Sequence, residues 1–61
     1  MKTIKNSIFT DLNLTNTVFK NTKIKDTNFT HSNLKGANLS SAKLINVNLR
    51  DAVYDKDTLW P

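Results

Sequence analysis

Ala37-Asn38-Leu39-Ser40-Ser41-Ala42-Lys43-Leu44-Ile45-Asn46-Val47-Asn48-Leu49 is a stretch in which one theme returns every five residues. A small residue (Ala37, Ala42, Val47) is followed two positions later by a leucine (Leu39, Leu44, Leu49). Carried outward to both ends, the leucine register reads Ile4, Phe9, Leu14, Phe19, Ile24, Phe29, Leu34, Leu39, Leu44, Leu49, Tyr54 and Leu59, all large and apolar. The register two places earlier runs from Ser7 to Ala52 and is small throughout, apart from Leu12. The other three registers are mostly Asn, Asp, Lys, Ser and Thr. A period that never lapses leaves no room for a linker, and predicts a single repeat domain over 1–61 with regular repeats from 4 to 56 and a tail from 57 to 61.

Few backbones keep a five-residue register on one side. On an α-helix, at ~100° per residue, each step of five overshoots a full turn by about 140°, so the apolar residues wind around the rod. On a flat strand an odd spacing sends successive large residues to opposite faces. A coil that turns a corner once per pentapeptide resets the phase each time and lets both the large and the small register point inward. The expected object is an all-β solenoid whose coils stack through backbone hydrogen bonds at roughly 4.8 Å. In such a solenoid Lys2 and Asp57, charged in inward registers, mark where regular coils end.

The number of sides is read from the spacing at which large residues recur. At twenty, four of eight pairs are identical (Ile4 and Ile24, Phe9 and Phe29, Leu14 and Leu34, Leu39 and Leu59), against two of nine at fifteen. A spacing of ten gives five of ten, so the count favours four sides over three without deciding it.

Ala37-Asn38-Leu39-Ser40-Ser41, with Ala42-Lys43-Leu44 and Val47-Asn48-Leu49 after it, resembles the A-(D/N)-L-X-X unit of the pentapeptide repeat family over positions 4 to 59. The resemblance implies a right-handed quadrilateral parallel β-helix of about three coils. The ending from Tyr54 to Pro61 is similar to that of many bacterial members, which implies a natural C-terminus. Thr17, Thr22 and Thr27 stand where the family prefers Ala, and their hydroxyls need backbone partners inside the coil.

Composition narrows the function. The chain has 61 residues, no cysteine, one histidine and a net charge of +4. Without disulfides or a cysteine-based metal site, a chain this short must find stability elsewhere. No apolar run is long enough for a membrane span or a signal-peptide core, so a cytoplasmic protein is expected, with no membrane partner. One histidine, no glutamate, scattered aspartates and a single glycine provide neither an oriented nucleophile and base nor a phosphate loop, so no enzyme and no cofactor are expected.

Writing the surface in columns of twenty gathers Lys5, Lys23, Lys25 and Lys43 on one side, with Lys20 on the side before it and Asp26 at the next corner. Such a face attracts phosphates, yet a solvated face that keeps a small protein soluble has the same composition. No arginine or aromatic residue is interleaved, so nucleic acid binding there would be weak and nonspecific. Asp11, His31 and Asp51 fall at equivalent corners, an open ladder with no enclosure for a metal. Tyr54, Leu59 and Trp60 are the candidates for covering or joining a coil end.

These features predict a non-enzymatic binding or structural module that self-associates by stacking its coil ends, alone or with another protein. Some members of the resembled family bind DNA gyrase by imitating DNA, so gyrase binding is the alternative the resemblance implies. That imitation requires an acidic rod, and this chain is basic.

Overall fold

A computed structural model of the chain describes residues 2–61. Its three strands, β1 (Lys2–Lys5), β2 (Thr22–Lys25) and β3 (Lys43–Ile45), form one parallel sheet in the order β1-β2-β3. Pairing is offset by twenty residues: Ile4 lies beside Ile24, and Ile24 beside Leu44. Three further faces are built from isolated parallel bridges, Ile8 to Asn28 to Asn48, Asn13 to Asn33 to Val53, and Val18 to Asn38 to Leu59. The chain is therefore an all-β solenoid with four faces and three tiers on each face.

The corners explain the period. Asn6, Asp11, Asn16, Asn21, Asp26, His31, Gly36, Ser41, Asn46 and Asp51 all have positive φ, one every five residues, between 52° and 71°. Asn, Asp, His and Gly are the residues that enter this left-handed region at least cost, and they fill every one of these places but Ser41. Asparagines two positions before the next residue's N–H reinforce the turns. Asn28, Asn38 and Asn48 accept from the backbone of Thr30, Ser40 and Arg50 at 2.9, 2.9 and 3.0 Å. A side chain that mimics a backbone turn in this way competes well with straight strand geometry.

The interior follows the two inward registers. Phe19, Ile24, Phe29, Leu34, Ala37, Leu39 and Ala42 form the buried core, with Ile4, Phe9, Leu14, Leu44, Val47, Leu49 and Ala52 packed against it and partly open. Phe29 sits between two rings, stacked on Phe9 at 5.2 Å and edge-on to Phe19 at 6.0 Å. The buried hydroxyls find backbone acceptors, Thr22 and Thr27 bonding the carbonyls of Lys20 and Lys25 at 3.4 and 3.0 Å and Ser32 that of Phe9, whereas the partly open Thr17 hydroxyl makes no such bond among the described residues. No buried side-chain polar atom among the described residues lacks a partner.

One expectation is corrected at the last side. Asn38 pairs with Leu59, an offset of twenty-one where the other faces keep twenty. One extra residue has entered the coil, and everything after it moves by one place. Leu59 thus takes the outward position and is half exposed, and Trp60 takes the inward place above Leu39 that the five-residue register had given to Leu59. Likewise Thr58 is buried and Asp57 is swung out to solvent, so no charge enters the core.

Candidate functional site

Two regions carry the residues singled out by the sequence. The first is the outer surface of the β1-β2-β3 sheet. Because Ile4, Ile24 and Leu44 point inward, the residues on either side of them point out. Strand register places Lys5 beside Lys25 and Lys23 beside Lys43, and Lys2 opens β1. Neighbouring tiers stand about 4.8 Å apart and alternate residues of a strand about 6.6 Å apart, so the four lysines form a small grid. Lys20 is not part of it. It lies exposed on the stretch before β2, with its carbonyl accepting from Thr22.

The strands contain no acid. Asp26, at the corner after β2, has its carboxylate engaged by the Asn46 amide at 2.8 Å. The ion pairs among the described residues are His31 with Asp51 at 3.3 Å and Arg50 with Asp51 at 4.0 Å, both away from this sheet. At the corner leading into β2 and β3, a hollow of about 300 Å³ is lined by Asn21, Thr22, Lys23, Ser41 and Lys43.

The second region is the end of the solenoid above the third tier. Tyr54 and Trp60 meet edge to face at 5.7 Å. Together with Leu49 and Ala52 they line an apolar hollow of about 380 Å³. Tyr54 keeps its inward register but, with no fourth tier above it, remains exposed. Leu59 lies outside this hollow.

Beneath the aromatic pair is a polar clamp that the sequence reading missed. The Thr58 hydroxyl donates to the Leu34 carbonyl at 2.9 Å and accepts from the Asp55 N–H at 3.1 Å. Asp55 Oδ1 accepts from the N–H of Gly36 at 3.1 Å and of Asp57 at 3.0 Å. Desolvation pushes the Asp55 carboxyl up, but the hydrogen bonds from Gly36, Asp57 and Thr58 outweigh it and hold the group below its ordinary value. The clamp ties the inserted turn to the tier below, beside the backbone bonds that Leu59 makes with Ala37 and Leu39. Its signal in the sequence is Asp55-Lys56-Asp57-Thr58, a turn-forming acid and a hydroxyl three residues apart at the point where the corner residue becomes a lysine.

His31 and Asp51 come together at their corner as an exposed pair. No group of three or more potential metal ligands occurs among the described residues. None of the helices or strands of the described residues offers a membrane span of the helical kind, since no helix is long and apolar enough.

Comparison with known proteins agrees with this geometry. A search of curated proteins finds no match. Among solved structures, the crystal structure of a pentapeptide repeat protein (Rfr23) from the cyanobacterium Cyanothece 51142 is similar, with a TM-score of 0.57 and 20% identity over 97% of this chain. The match takes in 47% of that protein, so the chain spans about half its length. A family model for pentapeptide repeats matches eight copies, over residues 4–36 and 13–51. With its inward registers, left-handed corners and twenty-residue tiers, the chain belongs to the pentapeptide repeat family.

Proposed function

We propose that this chain is a non-enzymatic structural module that pairs with a second copy through the aromatic end of its solenoid. The observation that carries the reading is the hollow formed by Leu49, Ala52, Tyr54 and Trp60. A last tier leaves backbone donors and acceptors without a neighbour, and apolar surface beside them favours contact with another chain. Tyr and Trp are the residues most enriched at the centres of such contacts.

A second copy is favoured as occupant because the end offers the same tier geometry to its own kind. The slip at Leu59 also selects how the copies meet. Continuing one coil onto the first tier of another copy needs the same offset on all four faces, and the fourth face departs from it by one residue. Pro61, which has no N–H, cannot extend the ladder there. Two such ends facing each other make a closed, two-fold pair, where head-to-tail stacking would make an open rod.

Sedimentation equilibrium across a wide concentration range tests this. The expected result is a monomer–dimer equilibrium that Trp60→Asp and Tyr54→Lys both shift to monomer, with far-ultraviolet circular dichroism unchanged. A chain that stays monomeric at the highest concentration, or that grows into rods whatever residue stands at 60, overturns it.

A further inference from the structure

We infer that the outer surface of the β1-β2-β3 sheet is a docking surface for double-stranded nucleic acid, which it holds by the phosphates and without regard to sequence. The inference rests on how unevenly the charge is distributed. Strands β1 to β3 contain no acid and turn Lys5, Lys23, Lys25 and Lys43 to the outside, while Lys2 lies in the inward register at the open end of β1. The whole chain has a net charge of +4, so everything apart from these four outward lysines sums to zero. A molecule whose extents are 24 × 20 × 14 Å thus has one strongly positive face and a nearly neutral remainder. Solubility alone is better served by charges of both signs interspersed over the surface.

None of these four lysines takes part in an ion pair among the described residues, and Asp26, at the corner after β2, accepts from the neutral Asn46 amide and is paired with no lysine. Their ammonium groups are therefore available to an outside anion. The backbone beneath them is held by β-ladder pairing, so the grid is laid out before any ligand arrives. At the edge of the grid, the hollow lined by Asn21, Thr22, Lys23, Ser41 and Lys43 is bordered by two lysines, the Asn21 amide and the Ser41 hydroxyl, donor types suited to one phosphate, while the Thr22 hydroxyl is taken by the Lys20 carbonyl. Lys5 and Lys25 lie across the sheet to take another.

The same face argues against other polyanions. It displays no aromatic side chain, so single strands find nothing on which to stack their bases. Its one outward aliphatic residue is Ile45, and the tryptophan and tyrosine that would anchor a membrane surface are at the solenoid end instead. A duplex presents one charge per ~1.7 Å of axis and needs only a rigid row of cations to displace its counterions. The absence of arginine on these strands leaves base edges unread.

The test is fluorescence anisotropy of a labelled mixed-sequence DNA duplex against the full chain at several salt concentrations. Four phosphate contacts give a slope of about −3.6 in log K against log salt, so a threefold rise in salt weakens binding about fiftyfold. Replacing Lys5, Lys23, Lys25 and Lys43 together by Ala is expected to remove binding and slope. The same four positions changed to Gln provide a second variant should the first fail to fold, with circular dichroism as the check. A charge control, Lys35→Ala with Arg50→Ala and Lys56→Ala, removes three cations from elsewhere and is expected to keep at least the original slope. A second, scrambled duplex should bind equally well. The inference is overturned if the control loses as much binding as a folded lysine variant, if the slope survives without the four lysines, or if phosphatidylserine vesicles retain the chain and the duplex does not.

Discussion

The middle tier and the last tier are built from one repeat and differ in almost every physical respect. Ile24, Phe29, Leu34 and Leu39 are at most 1% exposed, whereas Tyr54 in the same register is 64% exposed and Trp60, standing in for the fourth member, is 40% exposed. The difference is position alone, because a tier has an interior only when another tier lies on each side of it. In this short solenoid the middle tier is therefore the enclosed one, and of the large residues in the first and last tiers only Phe19 is buried with it. The strongest way to break the comparison is to truncate the middle tier and an end tier, here the first, at the same face. Leu34→Ala is expected to cost about 2–5 kcal/mol, enough to unfold a small domain in large part, while Leu14→Ala directly below costs about 1 kcal/mol, as befits a side chain already half open. Urea titrations followed by circular dichroism measure both. Equal losses would mean that the first tier is as enclosed as the second, as in a chain stacked at its N-terminal end.

Thr58 and Asp55 add side-chain bonds to the backbone pairing that holds the last tier. Thr58→Ala removes a buried hydroxyl, leaving the Asp55 N–H without its acceptor and the Leu34 carbonyl with the Ala37 N–H alone, at a cost of about 1–3 kcal/mol. Asp55 adds a pH dependence whose sign is fixed by its shift. Its folded carboxyl titrates below the ordinary value of 3.8, so the ionised clamp contributes stability above that pH, and the contribution is lost as pH falls through the folded value. Urea midpoints of the wild type and Asp55→Ala should differ at neutral pH and converge in acid below 3.8. A gap that persists there would assign the role to shape and not to charge.

How much of this was legible in the sequence depends on what repetition can encode. The inward registers and the solenoid follow from residues such as Ile4, Ile24 and Leu44, because a five-residue apolar period is incompatible with a helix or a flat sheet, whereas the twenty-residue tier was only favoured by the recurrence of large residues and implied by the resemblance. The lysine grid was legible for the same reason, since register alone sets which side chains share a face. The end was not. Leu59 matches Leu39 in type at a spacing of twenty, and a pattern reading has no reason to prefer Trp60 in its place. What decides the matter is a hydrogen-bonded turn at Asp55 and Thr58 that admits one extra residue. The corner positions held a further signal, since Asn, Asp, His and Gly recur at them for a reason of backbone φ and not of hydrophobicity.

Ser41 is the exception among those corners and sharpens the point. At φ 57° it occupies the left-handed region without the local side-chain support that favours Asn or Asp, and β-carbon crowding there costs about 1–2 kcal/mol. Ser41→Gly removes that crowding and gives back part of the gain through the freer unfolded chain, about 0.4–1 kcal/mol. A net stabilisation of about 0.5–1 kcal/mol is expected from the urea midpoint. The reverse change at Gly36 tests the same physics from the other side. A Cβ there would meet the Asn16 side chain at φ 71°, so Gly36→Ala destabilises until Asn16 swings away.

The smallest effect bears on why the lysine sheet exists. Like charges placed directly opposite each other across a ladder are destabilising, and Lys23 faces Lys43 in adjacent tiers. Lys43→Glu converts that pair to an attractive one and should stabilise the fold by about 0.2–1 kcal/mol, an advantage that shrinks as salt is added. A surface selected only for folding would have no reason to retain the repulsion, because a single substitution relieves it without touching the core. If Lys43→Glu is more stable than the wild type and binds the duplex less, the repulsion is the cost of keeping a phosphate-binding face. If it is no more stable, the lysines are far enough apart in solution to ignore one another, and the charge segregation loses its energetic argument.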